Sequence, residues 1–203
     1  SRTQLAYSIK TNYNAWICKR LFGSGLIPEV ISGFELELVE HLGYLSKAIV
    51  NGPVKSRKEL TKAMLGQATI HIDNLTELKN IIELASDLGC HVKLGIRLRP
   101  EGEAWKRFGI ALQGEQFEQA MTLIRANERV ELVALHLHIG TSIIDCERYR
   151  HAGMYMVEAI KRVNQSLDTS LSYIDMGGGL PTQAARLNHY APENWLVPRL
   201  SEL

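Results

Sequence analysis

Cysteine is scarce in this sequence, and the few thiols stand apart. Cys18, Cys90 and Cys146 are odd in number, far from one another and without metal-ligand spacing. That excludes a disulfide framework or a zinc site as a sensible reading and points to reduced thiols in a cytoplasmic protein. An excess of either charge is also lacking. With 23 basic and 22 acidic side chains the formal charge is +1, so there is no electrostatic footprint for nucleic acid or an anionic membrane surface, and a small-molecule partner is expected. No apolar run reaches the length of a membrane span, and the Ser1 end carries no apolar signal-peptide core. Linkers, low-complexity tracts and internal repeats are missing as well. Because the chain opens on Ser1 and runs almost directly into a strand, its natural start is expected to lie upstream, and a lost targeting segment stays open.

What is present is ordinary globular material: 203 residues, 45% hydrophobic and 22% charged, enough to bury a sizeable core. Leu5 to Ile9 is a short apolar run that delivers Lys10 at its end. Ile17, Leu21 and Phe22 recur at helical spacing before the Gly23-Ser24-Gly25 break, Pro28 to Ser32 reads as a strand, and a helix follows from about Phe34 to its stop at Gly43. The phrase then repeats. Ala48 to Asn51 is a strand, Ser56 and Glu59 have capping-box spacing for a helix to Leu65, and Ala68 to Asp73 is the next strand. Asn74 caps a helix whose Leu75, Leu78, Ile81, Ile82, Ala85 and Leu88 form one stripe ending at Gly89. Val92 to Leu98 is a fifth strand, followed by a polar loop at 101–107 and a step at Phe108-Gly109-Ile110. Phe117, Ala120, Met121 and Ile124 mark a helix, Val130 to Ile139 a sixth strand, Met156, Ile160, Val163 and Leu167 a helix, and Leu171 to Met176 a seventh strand.

Strands alternating with helices predict βαβ units and a parallel sheet. Seven such phrases predict an α/β fold of the (β/α)₈ barrel type, short of one strand, with a doubly wound open sheet as the alternative. In barrel enzymes the chemistry sits at the C-terminal strand ends, and Lys10, Glu29, Arg97, His138 and Gly177 fall there. A lysine at the mouth of a buried strand can be partly desolvated, which frees its neutral amine for Schiff-base chemistry. The plainer reading is a lysine snorkelling to water. His138, in the run His136-Leu137-His138-Ile139-Gly140-Thr141, reads either as a ligand-facing histidine or as a hydrogen-bonded core residue; His136 shares its parity and so its face. Gly177-Gly178-Gly179 ends a strand with three residues lacking side chains, which lets backbone N–H groups approach a phosphate or simply permits awkward loop dihedrals.

Seven motifs, in order, resemble one family. They are Tyr7-Ser8-Ile9-Lys10-Thr11-Asn12, Glu29-Val30-Ile31-Ser32-Gly33-Phe34-Glu35-Leu36, Asn51-Gly52-Pro53-Val54-Lys55-Ser56, Arg97-Leu98-Arg99-Pro100, Arg107-Phe108-Gly109-Ile110, His136 to Thr141, and Asp175-Met176-Gly177-Gly178-Gly179. From Tyr7 to about Pro181 the chain resembles the alanine-racemase-like barrel class of pyridoxal 5'-phosphate (PLP) enzymes, and within it the diaminopimelate, ornithine and arginine decarboxylases. The resemblance implies that residues 1–203 form one truncated PLP-binding barrel domain. It implies a Schiff base on Lys10, His138 against the cofactor ring, and Thr141, in place of the family's usual serine, on the phosphate with Gly177, Gly178 and Gly179. Glu29 stands where an aspartate is more usual, Arg97 matches the arginine of the fifth strand, and Arg99 departs from the family's asparagine and receives no role.

The resemblance further implies decarboxylation of a basic or diamino amino acid by a homodimer. Racemisation on the same barrel class and non-catalytic PLP carriage are the alternatives. The family's acidic partner of the pyridine nitrogen lies on a Glu-Pro-Gly-Arg motif at the eighth strand, which this sequence does not contain. Its C-terminal β-domain, which completes the partner subunit's site, is not matched either. The expectation is therefore that these 203 residues alone do no more than bind cofactor.

Overall fold

The computed structural model describes residues 3–100, 107–171 and 173–180. Across them run β1 (Ala6–Ser8), α1 (Ala15–Gly23), β2 (Ile27–Val30), α2 (Gly33–His41), β3 (Ile49–Val50), α3 (Arg57–Leu65) and β4 (Thr69–Ile72). They are followed by α4 (Leu75–Leu88), β5 (Val92–Arg99), β6 (Ile110–Ala111), α5 (Glu115–Arg125), β7 (Val130–His136), α6 (Cys146–Leu167) and β8 (Ile174–Asp175). Every strand pairing is parallel, in the order β1-β2-β3-β4-β5-β7-β8, with β6 paired to β5 off that path. A doubly wound sheet reverses its strand order at a switch point. This one follows the chain without reversal, the winding of a partial (β/α) barrel, and the alternative falls away.

Local chemistry explains where the helices begin and stop. The Ser56 hydroxyl accepts from the Glu59 N–H while the Glu59 carboxylate accepts from the Ser56 N–H, so the capping box read from the sequence is built. Asn74 caps α4 through the Glu77 N–H, and Gly89 ends it in the left-handed region with φ 63°. Along the strands, alternate side chains part to opposite faces. Ile70, Ile72, Leu94, Ile96 and Leu98 are buried in one apolar cluster with Leu78, Ile81 and Ala85 of α4 and Phe117, Ala120 and Met121 of α5. The opposite parity carries Glu29, Asn51, His71, Gly95, Arg97, His136 and Asp175. Packing on the helix side thus fixes which residues line the interior.

Three expectations need correction. The Leu5 to Ile9 run is not a buried strand: β1 pairs only with β2 among the described residues, Leu5 is 66% exposed, and Lys10 lies exposed in a 3-10 turn over Ile9–Thr11. An apolar run signals strand propensity but not which neighbours will cover it. The sixth predicted strand stops at His136, so His138 belongs to the following loop rather than to a strand. The step near Gly109 hides the short extra strand β6, because two residues are too few to show a period. The expected polar loop at 101–107 falls, but for Arg107, outside the described residues, as do residues 181–203.

Candidate active site

The proposed residues gather at the C-terminal edge of the sheet. Register sets Ser8 of β1 against Glu29 of β2, so Lys10, two residues on, and Glu29 come from adjoining strand ends. On the far side, Arg97 pairs in register with His136, and His136 with Asp175. His138, half-buried, ties the two sides together electrostatically. Burial first, then the Arg97 charge, keeps it below the ordinary histidine range; His136 and Lys10 push the same way, and Glu29 opposes them. His138 is therefore a neutral ring near both cations.

The glycine turn packs on the loop that carries His138. A Cβ at Gly177 would sit 2.6 Å from the Leu137 carbonyl oxygen and 3.1 Å from His138 Nδ1, and one at Gly179 would overlap the Gly140 carbonyl. Both have positive φ, 68° and 85°, so any side chain there is excluded by contact and by strain. Gly178 differs: among the described residues nothing lies within 4 Å of where its Cβ would be. Thr141 is exposed beside this turn, with its Cα 3.3 Å from the position of a Gly179 Cβ. The Gly179 carbonyl accepts from the Ile143 N–H at 3.0 Å, which pins loop to turn.

A second set of charged groups went unassigned in the sequence. Lys55, only 3% exposed in its side chain, donates to the Gly52 and His71 carbonyls and to Glu77 Oε1, each at 2.8 Å. All three ammonium protons are thereby used. Burial lowers the Lys55 pKa, and the Glu77 carboxylate works against that shift. The other Glu77 oxygen accepts the Asp73 N–H at 2.8 Å, and Asp73 Oδ1 lies 3.3 Å from Arg97 Nη1. Arg97 also covers the Phe108 ring at 4.9 Å. Arg97 is thus held by Asp73 on one side and the Phe108 ring on the other.

The third set lies in the barrel interior. His71 and His136 stack with ring centroids 5.1 Å apart, and Gly95 makes room, since a Cβ there would sit 2.2 Å from His71 Cδ2. Asp175 Oδ2 is 3.1 Å from His136 Nδ1 and 3.8 Å from His71 Nδ1, while its Oδ1 accepts the Gly177 N–H at 2.8 Å. Burial would raise the Asp175 carboxyl, but the histidines and the Gly177 N–H outweigh it and hold it low. Burial, then His136, drives His71 the other way from protonation, so its ring is neutral.

His71, His136 and Asp175 offer ligand atoms within 4.8 Å of one another, which raises the question of a metal. The hydrogen bonds answer it. Asn51 Oδ1 accepts the Gly52 N–H at 2.9 Å, so its Nδ2 is the group that faces Glu29 Oε1 and His136 Nε2, each at 3.2 Å. A metal on His136 Nδ1 would force the remaining ring proton onto Nε2, against the Asn51 N–H donors. The cluster is better satisfied by protons. His71, Asp73 and Asp175 carry a signal in the sequence as polar residues at inward parity or strand ends, as in Ile70-His71-Ile72-Asp73.

An open-ended parallel barrel whose polar residues collect at the C-terminal strand ends is the framework of a cofactor-binding barrel domain. PLP fits the residues present: an exposed lysine amine at one strand end, a half-buried neutral imidazole, a guanidinium held by Asp73, and a glycine turn whose middle residue has no described neighbour within 4 Å of a Cβ, beside a threonine hydroxyl. A family profile described as "Pyridoxal-dependent decarboxylase, pyridoxal binding domain" matches residues 1–196, and the chain belongs to that family. The diaminopimelate decarboxylase of Archaeoglobus fulgidus is 29% identical over 194 residues, 89% of this chain and 45% of the relative. That of Aquifex aeolicus is 30% identical over 191 residues, 87% of this chain and 44% of the relative. The crystal structure of diaminopimelate decarboxylase from M. jannaschii shares the fold with a TM-score of 0.85 at 21% identity, over 97% of this chain and 46% of that one. The chain therefore spans less than half the length of these relatives. Among its described residues no helix is long and apolar enough to cross a membrane.

Proposed function

We propose that residues 1–203 form a single PLP-binding barrel domain of an enzyme that decarboxylates a basic or diamino amino acid, acting as a homodimer. The convergence of Lys10, Glu29, Arg97 and His138 with the Gly177 to Gly179 turn on one mouth carries this reading. The family match supports the cofactor, and the relatives named diaminopimelate decarboxylase favour diaminopimelate over ornithine or arginine as substrate.

In this reading Lys10 supplies the amine that holds the cofactor aldehyde. Its exposure in the 3-10 turn leaves it able to be displaced by a substrate amine. Thr141 and the backbone N–H groups of Gly178 and Gly179 bind the phosphate. His138, kept neutral by burial and by Arg97, lies against the ring without adding a positive charge, while Glu29 balances the nearby cations. When bound, PLP accepts the electron pair left at Cα as CO₂ departs.

Borohydride reduction of the PLP-loaded protein followed by peptide mapping should place the pyridoxyl group on Lys10. Labelling of Lys55 instead would sink the assignment, since Lys55 is enclosed by three acceptors. A homodimeric enzyme carrying this domain, incubated with diaminopimelate, ornithine and arginine, should release CO₂ rather than racemise the substrate, while residues 1–203 alone should do no more than bind PLP.

A further inference from the structure

His136 shares a face with His138 and sits in the interior between two polar neighbours. Its side chain is 4% exposed and touches Asn51 through Nε2 and Asp175 through Nδ1. Asn51 decides the proton. The amide oxygen is committed to the Gly52 N–H at 2.9 Å, and the amide nitrogen faces Glu29 Oε1 at 3.2 Å. Turning the amide over would set its oxygen against the Glu29 carboxylate and its NH₂ against the Gly52 N–H, two repulsive contacts in place of two hydrogen bonds. With Nδ2 fixed as the donor, His136 Nε2 must accept. The ring proton then sits on Nδ1, where Asp175 Oδ2 lies 3.1 Å away, within hydrogen-bond distance though off the ideal N–H direction.

The other end of Asp175 completes the chain, because its Oδ1 accepts the Gly177 N–H at 2.8 Å. A directed run of contacts therefore leads from Glu29 through Asn51, His136 and Asp175 to the glycine turn. We propose that His136, held as its Nδ1–H tautomer between Asn51 and Asp175, is a positioning residue that couples the Glu29 carboxylate to the Gly177 turn, setting the aldehyde and phosphate ends of the cofactor site together. The coupling rests on the assignment of this mouth to PLP, whereas the tautomer does not.

Two measurements test it. Nitrogen-15 NMR of histidine-labelled protein without cofactor should show His136 with a protonated Nδ1 and an unprotonated, accepting Nε2. A protonated Nε2 overturns the proposal outright. The second measurement uses two conservative replacements. His136→Asn places an amide N–H where Nδ1 stood and keeps the bond to Asp175. His136→Gln places an amide oxygen where Nε2 stood and keeps only the contact with Asn51. His136→Gln should weaken PLP binding roughly tenfold, as expected for loss of a hydrogen bond to a charged group, and leave pyridoxal binding and the thermal midpoint near wild type. His136→Asn, which gives up Asn51, should hold the Gly177 amide signal close to wild type while weakening PLP and pyridoxal alike, because both carry the aldehyde.

Equal losses for PLP and pyridoxal in His136→Gln as well would mean that His136 only fills space, and the coupling would be wrong. Failure of the wild type to bind PLP would overturn both the coupling and the cofactor assignment, while the NMR tautomer would still be read independently.

Discussion

The two halves of the barrel mouth are built on opposite principles. On the side of β3, β4 and β5, Lys55, Glu77, Asp73 and Arg97 form a closed set in which each ammonium proton has an acceptor and both Glu77 oxygens are used. Facing β7 and β8, the His71 ring from β4 stacks on the His136 ring of β7, the two sit against the one carboxylate of Asp175 on β8, and neither ring nitrogen of His71 has a hydrogen-bond partner among the described residues. A buried charge is tolerated only when compensated, so the first side is saturated and rigid. The second side has glycines where side chains would be, and at one of them, Gly178, no described residue lies within 4 Å of a Cβ. Rigidity on one side gives the site a fixed wall. Openness on the other leaves room for a ligand.

Breaking the saturated side should have the largest effect. Glu77→Ala leaves the Lys55 ammonium buried without its carboxylate and the Asp73 N–H without an acceptor, which should cost about 3–5 kcal/mol in urea unfolding. The double replacement Lys55→Met with Glu77→Leu removes both charges and should recover most of that loss. The surface pair Arg57–Asp87, with side chains 64% and 52% exposed, is the control: Arg57→Ala should change stability by less than about 1 kcal/mol. A Glu77→Ala loss no bigger than that of the control would show that the buried network does not hold this wall.

The contrast between the halves was only partly visible in the sequence. Punctuation gave α3 and α4 nearly to the residue: Asn74 and Gly89 bound α4, and Ser56 with Glu59 makes the capping box, because these signals act within a few residues; α6, read from a stripe beginning at Met156, starts at Cys146. The strand ends were less legible: the sixth strand, read to Ile139, stops at His136, and the seventh, read over Leu171 to Met176, is only Ile174–Asp175. The buried network was not legible. Glu77 reads locally as an acid in the first turn of a helix, and its pairing with Lys55, 22 residues away, exists only once β3 and β4 are side by side. His71 was passed over between two isoleucines, although its parity opposite to Ile70 and Ile72 marked it as facing the interior. Likewise nothing local in Leu5 to Ile9 could tell a central strand from an edge.

An intermediate effect is expected on the open side. Gly178 has neither the positive φ nor the close contacts of its neighbours, so Gly178→Leu should fold normally. Its side chain would fill the space beside Thr141. PLP affinity should fall on the order of tenfold or more while pyridoxal, lacking the anion, loses much less. A parallel loss for both ligands, measured by absorbance titration, would remove the phosphate assignment from this turn.

The smallest effect at neutral pH should come from His71. His71→Leu deletes two buried nitrogens without partners among the described residues and keeps a side chain of similar bulk, so at pH 7.5 stability should stay within about 1 kcal/mol of wild type or rise. The difference emerges in acid. Burial, reinforced by His136, holds the folded His71 below its ordinary value of 6.5, at about 3. The unfolded chain therefore takes up this proton first. Stability from a depressed group is present above the unfolded value and is lost as pH falls, so the wild type should lose stability from about pH 6.5 downward. Asp175, also depressed, contributes only below its own ordinary value of 3.8, outside this window. Between pH 7.5 and 5 the wild type should lose roughly 2 kcal/mol more than His71→Leu. If urea unfolding at the two pH values gives the same drop for both proteins, His71 is not held neutral by its burial, and the open half of the mouth is less distinct from the saturated half than its geometry indicates.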